Sequence, residues 1–256
     1  PDPDAVLFDA DGHISGVAGA VIAGGASGGQ GVLSAILPDG TATAMLGPSG
    51  SFENPNDMAI AGDGALLFTD TNARDVKRLA GGVVTSLFTR PQRTFSIAVD
   101  PAGGAIFTST EDGVVSVHSP IGDLIDDAFA SGLGYAPAIA IEPANSIFRD
   151  PTPPGGGSHG GGDSGEDEGQ DGGGANQSTG AALVTLAAGE LRRYTGSQQY
   201  EVLGSGFNHA WDIAFGPDGA LYVSDFAGDQ VLRIVPEPSS LALLAVAGGA
   251  LLRRRR

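Results

Sequence analysis

Six residues of this 256-residue chain stand where side-chain oxygens, nitrogens or a ring can meet a ligand: Asn56, Asp57, Asn208, His209, Trp211 and Asp212. They cluster at the head of two runs that match without a gap, "NDMAIAGDGALLFTD" (56–70) and "WDIAFGPDGALYVSD" (211–225). Ser96 heads a third run, "SIAVDPAGGAIFTST". Carboxylates and amides gathered from separate segments suit a hard cation such as Ca²⁺, which takes about six to eight oxygen ligands. No spacing here fixes a ligand count, so the metal stays unassigned. The same aspartates can equally accept backbone N–H bonds at a strand start, with no ligand at all.

Other chemistries find little to work with. The chain has no cysteine, which removes disulfides, thiol nucleophiles and Cys-ligated metals. It has no Ser-His-Asp order, phosphate loop or H-E-x-x-H motif. His118 falls in an apparent strand and His159 in a linker, and neither has metal-ligand spacing. His209, beside Trp211, is the better functional candidate. Asp163, Asp167 and Asp171 recur every four residues, but an EF-hand loop needs Gly sixth and Glu twelfth. Counting from Asp163 gives Glu168, and counting from Asp167 gives Ser178.

The elements that must position these residues are strands. Each run reads as an alternating strand, a Gly turn and a second strand. A weaker fourth copy is "AIAIEPANSIF" (138–148). Taking Asp57, Ser96, Ala138 and Asp212 as equivalent gives separations of 39, 42 and 74 residues. The longest contains a Gly- and acid-rich stretch, 151–180, too poor in apolar side chains to offset its ordering entropy. It is expected to be a disordered insertion. Setting those 30 residues aside leaves 44, and a period near forty is that of a four-stranded propeller blade.

Further strands follow each hairpin: "DVKRLAG" and "GVVTSLFT", "GVVSVHSP" and "LIDDAFASG", then "ALVTLAAG", "ELRRYTG" and "QYEVLGSG". Upstream, "AVLFDADG", "GVLSAILPDG" and "TATAMLG" make one irregular blade. The last copy ends at "QVLRIV", one strand short, and "AVLFDA" (5–10) is expected to complete it and remove the edge. Alternatively the chain is a fragment lacking a further blade and an export signal. The predicted fold is therefore all-β, a β-propeller of about five to six four-stranded blades over residues 1–234. Residues just before the inner strands would ring one mouth of its channel. The loops 70–75, 111–112 and 225–229 would open on that face.

Net charge is −17, and four of the 13 basic residues are Arg253, Arg254, Arg255 and Arg256, so the rest carries −21. That excludes nucleic acid and anionic membrane surfaces as partners of the body. The last 22 residues differ in kind. Val235, Pro236, Glu237 and Pro238 precede 14 uncharged residues and then the arginines. As a helix, 14 residues span about 21 Å against a bilayer core of about 30 Å, a short transmembrane helix suited to transit. The arginines place its end in the cytoplasm and the body across the membrane, and the prolines keep the motif extended.

This tail resembles the PEP-CTERM sorting signal of Gram-negative bacteria. The resemblance implies that exosortase recognises residues 235–238 and cleaves near them. It further implies an inner-membrane intermediate, then the cell surface or extracellular matrix of an exopolysaccharide-producing, biofilm-forming cell. The pattern "P-x-D-hydrophobic-A … DGALYVSD … QVLRI" resembles NHL-type repeats and the wider six-bladed propeller superfamily. "NPND" (54–57) resembles, at Asn56, the metal- and substrate-binding position of gluconolactonase and regucalcin-like lactonases. The equivalent places in two other copies hold Phe95 and Trp211, which departs from that family's polar ligands. The expected function is a non-catalytic surface or matrix module that binds exopolysaccharide or a surface protein, with no cofactor unless Ca²⁺ binds. The alternative is a metal-dependent lactonase-like hydrolase.

Overall fold

A computed structural model describes residues 2–148 and 180–235. The expected C-terminal helix and, but for Gly180, the expected disordered insertion lie outside the described residues. Nineteen strands form five antiparallel sheets, each a blade. The first contains β1 (Asp2–Asp9), β2 (Ala20–Ser27), β3 (Gln30–Ile36) and β4 (Ala42–Ser49). The second contains β5 (Pro55–Ile60), β6 (Leu66–Asp70), β7 (Asp75–Ala80) and β8 (Val83–Thr89). The third contains β9 (Thr94–Val99), β10 (Ile106–Thr110), β11 (Val115–His118) and β12 (Leu124–Ala130). The fourth runs β13 (Ile139–Ile141), β14 (Ala182–Leu186), β15 (Glu190–Gly196) and β16 (Gln199–Ser205). The fifth has three strands, β17 (Ala210–Phe215), β18 (Leu221–Asp225) and β19 (Gln230–Ile234). Among the described residues the only helical element is a 3₁₀ turn, Phe226–Gly228.

The all-β propeller is thus the observed architecture, with five blades. Two readings need correction. Residues 5–10 do not complete the last blade: Ala5–Asp9 pair with Ala20–Gly24 inside the first. Ala5 and Leu7 feed the core between blades one and two, so moving β1 would empty that core. The second correction is β2 itself, which the sequence reading passed over because "VIAGGAS" carries little alternation. Its glycines have a packing reason. A Cβ on Gly24 would sit 3.0 Å from Pro55 and 3.2 Å from Leu33, so only Gly lets the second blade approach.

Four hydrophobic cores join consecutive blades, one per interface. Between blades one and two, fully buried Ile22, Leu33, Leu66 and Phe68 surround Phe52, which meets Phe68 edge-on at 5.2 Å. Each such side chain contributes about 1.5–3 kcal/mol on burial. No core among the described residues joins blade five to blade one. Their outward faces instead present Val6 (66% exposed), Phe8 (62%) and Val231 (68%) to solvent.

Candidate channel-mouth site

The inner strands β5, β9 and β17 each carry a β-bulge at one place, opposite residue 69, residue 109 and Ser224 respectively. A bulge turns an extra side chain away from the sheet face. Beneath it one hydrogen bond recurs. Asp57 N–H donates to Thr69 Oγ1 at 3.0 Å, Ser96 N–H to Ser109 Oγ at 3.2 Å, and Asp212 N–H to Ser224 Oγ at 2.9 Å. In the fourth blade Ala138 N–H donates to Thr185 Oγ1 at 3.1 Å. The four positions aligned on sequence are therefore equivalent in space, each marked by a hydroxyl on the second strand.

The next layer links the blades. Asp57 Oδ2 accepts the Ser96 hydroxyl at 2.6 Å and the Ile97 N–H at 2.9 Å, both from the next blade. Ser96 Oγ in turn accepts the Ile139 N–H at 3.0 Å, so one polar chain crosses three blades. Asp57 Oδ1 takes the N–H of Met58, and Asp212 Oδ1 likewise takes that of Ile213, both at 2.8 Å. Asp212 Oδ2 receives no donor among the described residues.

Burial pushes the Asp57 carboxyl up to about 7, the nearby Asp212 charge adding to the rise while the Ser96 and Ile97 bonds pull against it. Asp212 is exposed at its surface, yet desolvation raises its carboxyl too, against the pull of the Ile213 N–H bond. Among the described residues no basic side chain offsets either carboxyl.

Above this polar layer lies an aromatic one. Phe95 and Trp211, the residues one step before Ser96 and Asp212, are bridged by Tyr135 from the loop leading into β13. Ring centroids are 5.0 Å apart for Phe95–Tyr135 and 5.9 Å for Tyr135–Trp211. Phe226 extends the arc, 5.8 Å from Trp211. His209 sits 5.3 Å from Trp211 and 6.2 Å from Phe226, with its Nε2 buried and unpartnered. Trp211 is 43% exposed and Phe226 70%, while Phe95 and Tyr135 are half-buried.

Of the residues singled out from sequence, Asp57, His209, Trp211 and Asp212 come together at this mouth. Asn56 stands at the second-blade bulge, in the place of Phe95 and Trp211. Asn208 is occupied with structure, its side chain donating to the Ala227 carbonyl at 3.0 Å. Asp70 and Asp225 spend their carboxylates on strand starts: Asp70 accepts the N–H groups of Glu53 and Asn54, Asp225 those of Asn208 and His209. Val235 ends the described chain, and the remaining tail residues singled out lie beyond it.

Sequence reasoning missed Tyr135 and Phe226. Tyr135 could have been found by asking which aromatic precedes each inner strand. Phe226 carries no such sign, because only the 3₁₀ turn lifts it to the mouth. Among the described residues no group of three or more His, Asp or Glu side chains could hold a metal ion. A carboxylate pair flanked by Phe95 and Trp211 falls short of a Ca²⁺ shell.

The other histidines are structural or remote. His118 is buried, stacks on Phe88 at 3.8 Å and contacts Ser116 and the Gly122 carbonyl, and burial lowers its pKa. A cavity of about 470 Å³ lined by His13, Asp63 and Arg78 lies at the other end of blades one and two, where Asp63 is paired with Arg78.

Residues 235–256 match the PEP-CTERM protein-sorting motif. That motif implies processing by exosortase, export, a membrane-anchored intermediate and then the surface. No helix among the described residues is long and apolar enough to cross a membrane. No curated protein matches the chain. Solved structures do. Selenomethionine-substituted virginiamycin B lyase from Staphylococcus aureus is 18% identical, with a TM-score of 0.59 over 91% of this chain and 66% of that one. A catalytically inactive variant of the lyase with quinupristin is 17% identical, TM-score 0.58, with the same coverage. The chain thus spans just under two thirds of those proteins, and at such identity the likeness establishes the propeller fold.

Proposed function

We propose that this exported, exosortase-sorted propeller is a non-catalytic binding module that engages exopolysaccharide at its channel mouth. The observation that carries the reading is the arc of Phe95, Tyr135, Trp211 and Phe226, whose last two rings are exposed on a surface otherwise rich in acids. Sugar rings present C–H faces that stack on aromatic planes, while their hydroxyls bond to neighbouring carboxylates and imidazoles. Phe95 and Trp211, standing where a lactonase-like hydrolase needs oxygen ligands, weigh against the catalytic alternative.

The test is affinity electrophoresis through gels containing the producing cell's own extracellular polymer. The wild-type chain should be retarded, and Trp211→Ala should weaken retardation about tenfold, the loss of one well-stacked ring. Equal mobility of both proteins, with and without polymer, would remove the proposal.

A further inference from the structure

Resting on that reading, we infer that the saccharide engaged at this mouth is an anionic one, and that Arg74 and Arg93 hold its carboxylate groups. Eight basic side chains fall among the described residues. Six of them stand in ion pairs: Lys77, Arg78, Arg90, Arg192, Arg193 and Arg233. Arg74 and Arg93 are the two without an acid partner among the described residues, and both are exposed. The fold brings them to one junction, between blades two and three. Arg74 ends the loop before β7, and its Nη1 donates to the Pro91 carbonyl at 3.2 Å, two residues from Arg93. The Arg90 N–H donates to the Arg74 carbonyl at 2.8 Å, and the Glu111 N–H to the Arg93 carbonyl at 2.9 Å. Both flanking blades have four strands, and Leu67, Val76, Ile97 and Ile106 join them in one core.

The turn itself does not ask for an arginine. Arg74 stands at φ +58°, in the left-handed region that Gly and Asn enter most easily. The same loop place in blade five, at φ +50°, holds Asp229. The neighbouring carboxylates are engaged elsewhere. Asp75 pairs with Lys77, Asp127 with Arg90, and Asp112 accepts the Thr110 hydroxyl. Glu111 takes the Arg93 backbone N–H at 3.3 Å and forms no ion pair with its guanidinium. Phe95 follows Arg93 by two residues and meets Tyr135 edge-on at 5.0 Å. A uronic acid stacked on those rings can turn its carboxylate to the arginines, whose planar forks bind it through paired N–H bonds. The chain apart from its four terminal arginines carries −21 and would hold an anion off at long range. At about 0.15 M salt, charges more than about 8 Å away are largely screened, so the contacts at the mouth decide. A neutral sugar would use the rings alone, and an acidic peptide the arginines alone.

The experiment is calorimetry on the full chain at neutral pH with three probes of equal length: an oligogalacturonate, its carboxyl-reduced neutral form and an oligoglutamate. The galacturonate should bind at least tenfold more tightly than either of the others. Arg93→Gln, and Arg74→Asn, which suits the left-handed turn, should each remove most of that preference and leave the neutral form's affinity unchanged. Arg78→Gln makes the same change of charge at the other end of blade two and should leave the preference intact. If circular dichroism shows one mouth variant unfolded, the other decides. Equal binding of the acidic and neutral sugars overturns the anion selection while leaving saccharide binding intact. So does a preference that both mouth variants keep, or that Arg78→Gln loses as fully. Oligoglutamate binding as tight as that of the galacturonate makes this an acidic-peptide site and overturns the inference. No binding of either saccharide removes both readings.

Discussion

Replacing Asp57 by Asn should remove the pH dependence of stability that this carboxyl imposes. Its folded pKa stands near 7 against an ordinary 3.8, a rise of roughly three units at about 1.4 kcal/mol each, so about 4 kcal/mol. Water in the open channel trims this toward about 2 kcal/mol. The sign follows from proton counting. Between about pH 4 and 7 the folded chain keeps a proton that the unfolded chain has released, so stability falls as pH rises through that window. Above it the loss is complete.

In Asp57→Asn the amide oxygen can still accept from Ser96 and Ile97, and only the Met58 N–H bond is lost, at about 1 kcal/mol. The variant should therefore melt slightly below the wild type near pH 5 and above it near pH 8. For a body of this size the alkaline gain corresponds to roughly 2–10 °C. Melting curves by circular dichroism across this range are the measurement. Parallel curves that never cross would show that Asp57 is not held neutral by its burial, and the reasoning would fail.

Arg193→Ala should destabilise the fourth blade by about 3–5 kcal/mol, because it strands buried Glu142, which Arg193 grips at 3.0 and 2.7 Å; chemical denaturation would read this. Gly219→Ala should cost more than about 1 kcal/mol, since Gly219 has φ +75° and its new Cβ would strike the Asn145 carbonyl; a depressed melting temperature checks it. Mass spectrometry of the extracellular protein should find residues 241–256 missing, and Glu237→Ala should block that processing.

The blades were legible because their equivalence rests on local chemistry. A hydroxyl on each second strand binds each inner-strand N–H, and the alignment of Asp57, Ser96, Ala138 and Asp212 follows from the repeat that builds this bond. What escaped notice depends on packing between distant segments. The β2 strand looks like linker because Gly24 answers to Pro55, some thirty positions away in the next blade, as well as to Leu33 beside it. The place of β1 was equally hidden. Nothing in "AVLFDA" says that Ala5 and Leu7 belong to the core with Met58 and Leu66, leaving Val6 and Phe8 in solvent.

The aromatic arc shows how the same residues can argue for two things. From sequence, Phe95 and Trp211 were departures: side chains that cannot hold a metal, at positions where a hydrolase needs oxygen. In the structure those positions are bulges aimed at the channel mouth, and Tyr135 fills the gap between them. A bulge exposes whatever residue it carries. Oxygen ligands there would favour a cation and its chemistry, and rings there favour a ligand with apolar faces. The bulge fixes where a ligand meets the blades, and the side chain it presents fixes which kind. Among the described residues, His209 Nε2 stands buried and unpartnered beside Trp211. A ligand that uses both must carry a stacking face and a polar group close to it.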